Sequence, residues 1–265
     1  SLRSSRRKRV YDDALREAAL AVSGSPSVAA LDAAARVRLL LGAARQGAAS
    51  LDAALARAAT APQTDRTVVA SLVVQRAAAD IALFRPDRAL SGLRRLFRLG
   101  TRLPREVVKD ATAIARAVSQ AIVLPDGVSA EAAAAGVPLP PREPGAQPVP
   151  DASWRRAFPA LDLGDEDAAA ATEPLAAIAD AFPGDAVLEM LAGRADLLAG
   201  DASRGRARLA AATGSNRLPE SWIGPGLLLE GKAADLAGDR AAAIALYSRA
   251  SASPAFVDRE SAWLY

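Results

Sequence analysis

The sequence predicts an all-α protein, and three features of its composition and patterning support this fold class. Apolar residues make up 51% of the 265-residue chain, and most of them are Ala and Leu, which are strong helix formers. Aromatic residues account for 4%, and β-branched runs that would favour a sheet are scarce. Apolar residues also recur at helical spacing in several segments. We therefore expect helices along most of the chain and essentially no sheet.

A repeated segment in the C-terminal half predicts pairs of helices. The nine residues from Gly193 to Asp201 align with those from Gly231 to Asp239, 38 residues later, and both copies end in Leu-Ala-Gly-Asp. A Gly-Asp pair is typical of a helix that ends at a glycine with positive φ and of a following helix that is capped by aspartate. Further along, Leu209 aligns with Tyr247. Each unit is therefore interpreted as a helix, a tight turn and a second helix.

This pattern resembles the tetratricopeptide repeat family. In that family a small residue lies in the middle of the first helix, as Gly193 and Gly231 do here, and a Gly-Asp turn follows seven residues later. The second helix of the last unit has the expected small, aromatic and small residues, Ala243, Tyr247 and Ala250, and Pro254 stands one place before the usual terminal proline. The resemblance covers about residues 175–265. It implies an α-α superhelix, or solenoid, of helix pairs that binds a segment of another protein on its concave face.

The resemblance also implies which residues contact that partner. In the family these are first-helix residues close to the central small residue and one turn beyond it. Carried over to this chain they are Met190, Arg194, Leu197, Leu228, Lys232 and Asp235. Arg194 and Lys232 directly follow the aligned glycines, so stacking of the units would bring two cations onto one surface. Such a surface suits an acidic segment, and the alternative interpretation is a face that is simply solvated.

Charge and proline content divide the chain into four predicted segments: a basic tail (1–9), a basic helical half (10–123), a Pro-rich linker (124–153) and an acidic repeat half (154–265). Residues 1–124 hold 21 Lys+Arg and 10 Asp+Glu, a net charge of +11, and the remaining 12 and 20 give −8. The linker contains 7 of the 17 prolines, and a helix cannot continue through Pro138 to Pro150.

Within the basic half we predict helix pairs at 27–46 with 48–60 and at 66–84 with 87–99. One apolar stripe consists of Leu90, Leu93, Leu96 and Phe97, and a later one of Val107, Ala111, Ile114, Val118 and Ile122. We interpret these pairs as degenerate units of the same superhelix.

The residue types exclude much catalytic chemistry. The chain has no His and no Cys, so neither a Ser-His-Asp or Cys-His arrangement nor a Cys/His zinc site can form. Two acidic groups remain as candidate catalytic or cation-binding sites. The first, which is interpreted as a helix cap, consists of Asp162, Asp165, Glu166 and Asp167, and the second consists of Asp196 and Asp201. The segment Gly226–Ala233 resembles a phosphate-binding loop, but three leucines fill it and Ala replaces the final Ser/Thr. We therefore expect no enzyme activity, no cofactor and no metal.

Two basic clusters leave other partners open. They are the tail residues Arg3 to Arg9 and the group Arg85, Arg88, Arg94, Arg95 and Arg98. Each is interpreted as a solvated surface, with nucleic acid or another anionic partner as the alternative. A membrane would be reached only through the tail or a removed anchor, because no run of about 18 apolar residues occurs. The oligomeric state is left open, and cytoplasm is slightly favoured over periplasm.

A second function class is a helical accessory part of a larger enzyme or of a membrane or secretion machine. Superhelical domains attached to bacterial cell-wall enzymes are the analogy. Because the chain starts at Ser1 rather than at Met, we expect it to be a processed or excised product.

Overall fold

A computed structural model describes residues 2–24, 26–41, 43–61, 65–100, 103–139, 149–150, 156–157, 160 and 167–253 of the chain. Twelve helices occupy this described part: α1 (Leu2–Ala21), α2 (Val28–Leu40), α3 (Ala44–Thr60), α4 (Arg66–Ala82), α5 (Pro86–Phe97), α6 (Arg105–Ala121), α7 (Val128–Ala134), α8 (Ala168–Ala181), α9 (Ala186–Leu198), α10 (Ala202–Gly214), α11 (Glu220–Leu236) and α12 (Arg240–Ala252). Extended pairing among these residues is limited to one isolated bridge between Ile122 and Val149. The all-α prediction is confirmed.

The helices belong to two compact units. Of the described residues, the first contains those from 2 to 118 and from 125 to 139, and the second contains those from 119 to 124 and from 149 to 253. In the first unit α2 packs on α3 and α4 on α5, and in the second unit α9 packs on α10 and α11 on α12. The fold is therefore built from consecutive helix pairs, or hairpins.

The helix pairs predicted in the basic half are present. They are α2 with α3 and α4 with α5, although the first helix ends at Leu40 and α3 begins at Ala44, earlier than expected. The two predicted apolar stripes lie in α5 and around α6, and all of their residues are buried. Burial of these stripes supplies the hydrophobic contacts that hold each helix in place.

Aspartates cap the helices as the sequence predicts. Asp201 Oδ1 accepts a hydrogen bond from Arg204 N at 3.0 Å at the start of α10, and Asp239 Oδ1 accepts one from Ala242 N at 3.1 Å at the start of α12. Asp167 caps α8 by accepting from two backbone amides at 3.0 and 3.2 Å. The three acidic residues that precede Asp167 in its predicted cluster lie outside the described residues.

Two segments differ from the four-segment prediction. Residues 2–9, predicted as a tail, lie within α1, and the predicted linker contains α7. The far end of the Pro-rich stretch lies beside the end of α6, because Val149 N donates to Ala121 O at 3.0 Å and Val123 N donates to Val149 O at 3.3 Å. The prolines exclude helix only from Pro138 onwards, and α7 lies before that stretch of the chain.

Candidate functional site

The two hairpins that carry the sequence repeat have the same close helix crossing. A Cβ atom placed on Gly193 in α9 would lie 2.9 Å from Leu209 Cγ in α10, and one placed on Gly231 in α11 would lie 2.5 Å from Tyr247 Cε1 in α12. Leu209 and Tyr247 are the residues that the 38-residue alignment pairs. Both glycines are therefore needed for the close approach of the second helix, and the two hairpins can be compared position by position.

Three of the six residues predicted to contact a partner lie in the core instead. Met190 is fully buried, and Leu197 and Leu228 are 8% and 5% exposed. Leu228 belongs to an apolar cluster with Leu246 and Tyr247 of α12. These side chains hold the hairpins together in this structure, and they leave little surface for a partner.

The other three predicted residues are half-buried at the surface. Arg194 in α9 and Lys232 in α11 occupy equivalent positions, directly after the two glycines. Asp235 accepts hydrogen bonds from Arg240 NH1 at 2.6 Å and from Tyr247 OH at 2.9 Å. The Arg240 guanidinium, with help from the Tyr247 hydroxyl, lowers the pKa of the Asp235 carboxyl. Asp235 thus has partners of its own within the hairpin α11–α12.

Two exposed leucines at the ends of the same first helices are not among the predicted contact residues. Leu198 in α9 is 50% exposed and Leu236 in α11 is 69% exposed, and the repeat pairs them. Each leucine lies four residues after Arg194 or Lys232, so cation and leucine share one helix face. Their exact repetition beside the Gly-Asp turn was visible in the sequence. Each leucine is the last residue of its helix, so no following helical turn covers it.

The two first helices bring these features together. Helix α9 contacts α11 directly, besides packing on α8 and α10. These four residues, which lie at matching positions of two neighbouring helices, are named the ladder face: Arg194, Leu198, Lys232 and Leu236. It combines two exposed apolar side chains with two half-buried cations at matching positions of neighbouring repeats.

A network of ion pairs holds the helices that support the ladder face. Arg208 in α10 donates to Glu189 in α9 and to Asp180 in α8, each at 2.9 Å. These two carboxylates raise the pKa of Arg208 against the opposing effect of burial. Asp196, which is fully buried, accepts from Arg204 Nε at 2.8 Å. Helices α8, α9 and α10 are therefore fixed by charged contacts as well as by apolar packing.

One ion pair joins the two repeated hairpins to each other. Arg206 NH2 of α10 donates to Asp239 Oδ2 at 2.9 Å, and Asp239 is also the N-cap of α12. The interaction lowers the pKa of Asp239. Thr213 at the end of α10 likewise donates to Glu230 of α11 at 2.7 Å.

The segment that resembles a phosphate-binding loop is helical. Residues 226–233 lie inside α11, and Gly226, Leu227 and Gly231 are buried there. Its backbone amides are used within the helix and are not exposed in a loop. Among the residues that the structure describes, no group of three or more Asp or Glu side chains could hold a metal ion. No helix in the same described part is long and apolar enough to cross a membrane.

The basic clusters and the tryptophans are only partly described. Arg94 forms a two-point ion pair with Glu131 of α7, at 2.9 Å from Nε and 2.6 Å from NH2, and Arg85 is buried. Trp222 is fully buried near the start of α11. Trp154, Trp263 and Pro254 lie outside the described residues, as do the side chains of residues 1–8.

Comparison with known proteins gives distant similarity to solved helical structures. No protein-family model and no curated protein matches the chain. One similar structure is the TPR2AB domain of yeast Sti1 in its complex with pHSP90, with 13% identity, a TM-score of 0.36 and coverage of 97% of this chain and 89% of that one. Another is BtubC (BKLC) from P. vanneervenii, with 13% identity, a TM-score of 0.32 and coverage of 93% and 89%. These similarities concern the helical fold and extend no further.

Proposed function

We propose that the chain is a non-catalytic protein-interaction scaffold that binds a partner segment on the ladder face. The observation that carries this proposal is the exposure of Leu198 and Leu236 at repeated positions of neighbouring first helices. Exposed leucines that recur in register, rather than singly, are typical of a binding surface. In the tetratricopeptide family the corresponding first-helix face is the concave one, where partner segments bind.

The chemistry of the face defines the partner that fits it. Leu198 and Leu236 would bury apolar side chains of the segment, which is the main source of affinity in such contacts. Arg194 and Lys232 lie one helical turn away on the same face and would favour acidic groups in the segment. The partner is therefore proposed to be a short segment that combines apolar and acidic residues.

The test uses short random peptides displayed on phage and selected against the full chain. Enriched peptides are synthesised, and their affinity is measured for the native chain and for the double variant Leu198→Asp/Leu236→Asp. We expect the double variant to bind at least about 10-fold more weakly, which is about 1.4 kcal/mol. Ile244→Asp is the matched control, because Ile244 is 52% exposed but lies on the second helix α12.

A second variant tests the acidic preference. Arg194→Glu/Lys232→Glu should weaken the binding of enriched peptides that contain Asp or Glu, with the helical circular-dichroism signal unchanged. Equal affinity of the native chain and of Leu198→Asp/Leu236→Asp for every enriched peptide would show that partners use another face. Equal loss in Ile244→Asp would show that the effect is not local to the ladder face.

A further inference from the structure

A pocket of about 370 Å³ opens between the end of α1 and the hairpin α2–α3 in the first unit. Arg38 of α2 and Arg57 and Ser50 of α3 supply its polar lining, and Val22 and Leu31 lie on its apolar side. A pocket of this size is within the range that binds small ligands or large side chains. Its position is far along the chain from the ladder face, and it belongs to a different hairpin.

The position equivalent to this pocket can be found in the hairpin α9–α10, because the turn of each hairpin is closed by an equivalent backbone hydrogen bond. Ala43 N donates to Arg38 O at 2.8 Å, and Asp201 N donates to Asp196 O at 2.9 Å. This register makes Arg38 equivalent to Asp196. It also makes Gly47 equivalent to Gly205, and a Cβ on either would press against the equivalent leucine of the first helix, Leu39 or Leu197.

In the hairpin α9–α10 this place is filled by a side chain. Ser50 is equivalent to Arg208, and Leu31 is equivalent to Glu189. Arg208 extends between Glu189 and Asp180 with hydrogen bonds of 2.9 Å to each. In α2–α3 the short Ser50 leaves the corresponding space open.

The charges around the space are also reversed. Where α9–α10 has carboxylates around one guanidinium, α2–α3 has Arg38 and Arg57 around an open space. Arg38 NH1 donates to Ser50 Oγ, whereas Arg38 Nε is buried and has no hydrogen-bond partner among the described residues. Within that part of the chain neither Arg38 nor Arg57 forms an ion pair with a carboxylate. A buried N–H group without an acceptor is unfavourable, and a carboxylate can accept from two N–H groups of one guanidinium at once.

We propose that this pocket binds a glutamate side chain of a partner polypeptide. The carboxylate would accept hydrogen bonds from Arg38 and Arg57, and the methylene groups would pack on Val22 and Leu31. A polypeptide source is favoured over a free acid because the equivalent space in α9–α10 receives side chains, Arg208 and Asp180, from two helices. The proposal does not depend on the ladder face.

The probe is a fluorescent peptide, acetylated and amidated, with one glutamate among alanine and leucine residues. Its binding to the full chain is followed by fluorescence anisotropy beside an identical peptide that carries glutamine. We expect the glutamate peptide to bind at least about 10-fold more tightly than the glutamine peptide. Hexanoate is added as a competitor in a separate titration, so that a site for free aliphatic acids can be recognised.

Three variants locate the binding. Arg57→Gln removes one cation at an exposed position, and Ala53→Leu fills the pocket while both cations remain, because Ala53 also lines it. Both variants should lower the affinity for the glutamate peptide at least about 10-fold. Arg36→Gln is the matched control, since Arg36 lies on α2, pairs with Asp32 at 2.9 Å and does not line the pocket.

Several outcomes would overturn the proposal: no binding of the glutamate peptide, equal binding of the two peptides, or full affinity in both Arg57→Gln and Ala53→Leu. Binding of hexanoate without binding of the peptide would also overturn it, because the site would then serve free acids. Circular dichroism of each variant confirms that the helices are intact.

Discussion

The hairpins α4–α5 and α9–α10 turn the chain with the same hydrogen bonds but with different residues. In α9–α10, Gly200 N donates to Leu197 O and Asp201 N donates to Asp196 O, at 3.2 and 2.9 Å. In α4–α5, Phe84 N donates to Ile81 O and Arg85 N donates to Asp80 O, at 3.0 and 2.8 Å. The residue at the turn has a positive φ in both, +94° for Gly200 and +60° for Phe84.

The comparison shows that the same turn can be formed with or without backbone strain, depending on which residue adopts the positive φ. Glycine adopts this conformation without strain, whereas a residue with a side chain is strained there by about 1–2 kcal/mol. Phe84 is buried, and burial of its ring offsets that strain. The same hairpin can thus be specified by a glycine in one unit and by an anchored aromatic side chain in the other.

The largest expected effect is at Phe84. Phe84→Ala should lower the free energy of unfolding by about 3–5 kcal/mol, because it removes a buried ring and keeps the strained backbone. Phe84→Gly should cost about 1 kcal/mol less than Phe84→Ala, because glycine relieves the strain. Urea unfolding followed by circular dichroism measures both variants. A glycine variant less stable than the alanine variant would show that this turn is not strained by its side chain.

A second prediction concerns the buried carboxyl groups that precede the two turns. Asp80 is equivalent to Asp196, and burial raises its pKa from 3.8 to about 6 against the opposing effect of Arg76. The folded state therefore holds this proton more tightly than the unfolded state does. The resulting stability is present below about pH 4 and is lost as the pH rises through about 6, by about 3 kcal/mol for such a shift.

Asp80→Asn removes the titrating group and should abolish this part of the pH dependence. Unfolding free energies of the native chain and the variant, measured at intervals from pH 4 to pH 7, should differ progressively by up to about 3 kcal/mol. Asp52→Asn is the control, because Asp52 is an exposed acceptor for the same Arg76, at 2.7 Å. Parallel pH profiles for the native chain and Asp80→Asn would contradict the prediction.

The smallest effect is expected at the glycine turns. Gly200→Ala should lower the free energy of unfolding by about 1 kcal/mol, because the methyl group meets no atom within 4 Å and only backbone strain is added. Gly238→Ala should have an effect of the same size, since Gly238 is its counterpart in the repeat and has a φ of +80°. Thermal or urea unfolding of the two variants tests whether these turns are equivalent. A large difference between the unfolding free energies of the two variants would show that the two turns are not equivalent.

The comparison also explains what could be predicted from the sequence. The turns at Gly200 and Gly238 were predictable, because glycine and a capping aspartate are the residues that such a turn favours. Phe84-Arg85 carries no such signal, so the α4–α5 pair was predicted from apolar spacing alone. Its equivalence with α9–α10 became visible only from the backbone hydrogen bonds.

The proposed ladder face lies close to the positions that the resemblance implied. Those positions include Arg194 and Lys232, whereas their apolar member Leu197 is buried and its neighbour Leu198 is exposed. Adjacent residues of a helix differ in direction by about 100°. Which of two neighbouring leucines faces outwards is decided by where α8 and α10 pack, and that information is not local. Repetition of Leu198 as Leu236, compared with Leu197 and Asp235, was the available clue.

The double role of Asp239 has a consequence for how the C-terminal hairpins come apart. Its carboxylate caps α12 and also binds Arg206 of the preceding hairpin, so fraying at the start of α12 removes a contact from α10 as well. In arrays of helical repeats, the coupling between neighbours sets how cooperative unfolding is. Because the two hairpins share this carboxylate, opening of α11–α12 also removes a stabilising contact from α9–α10.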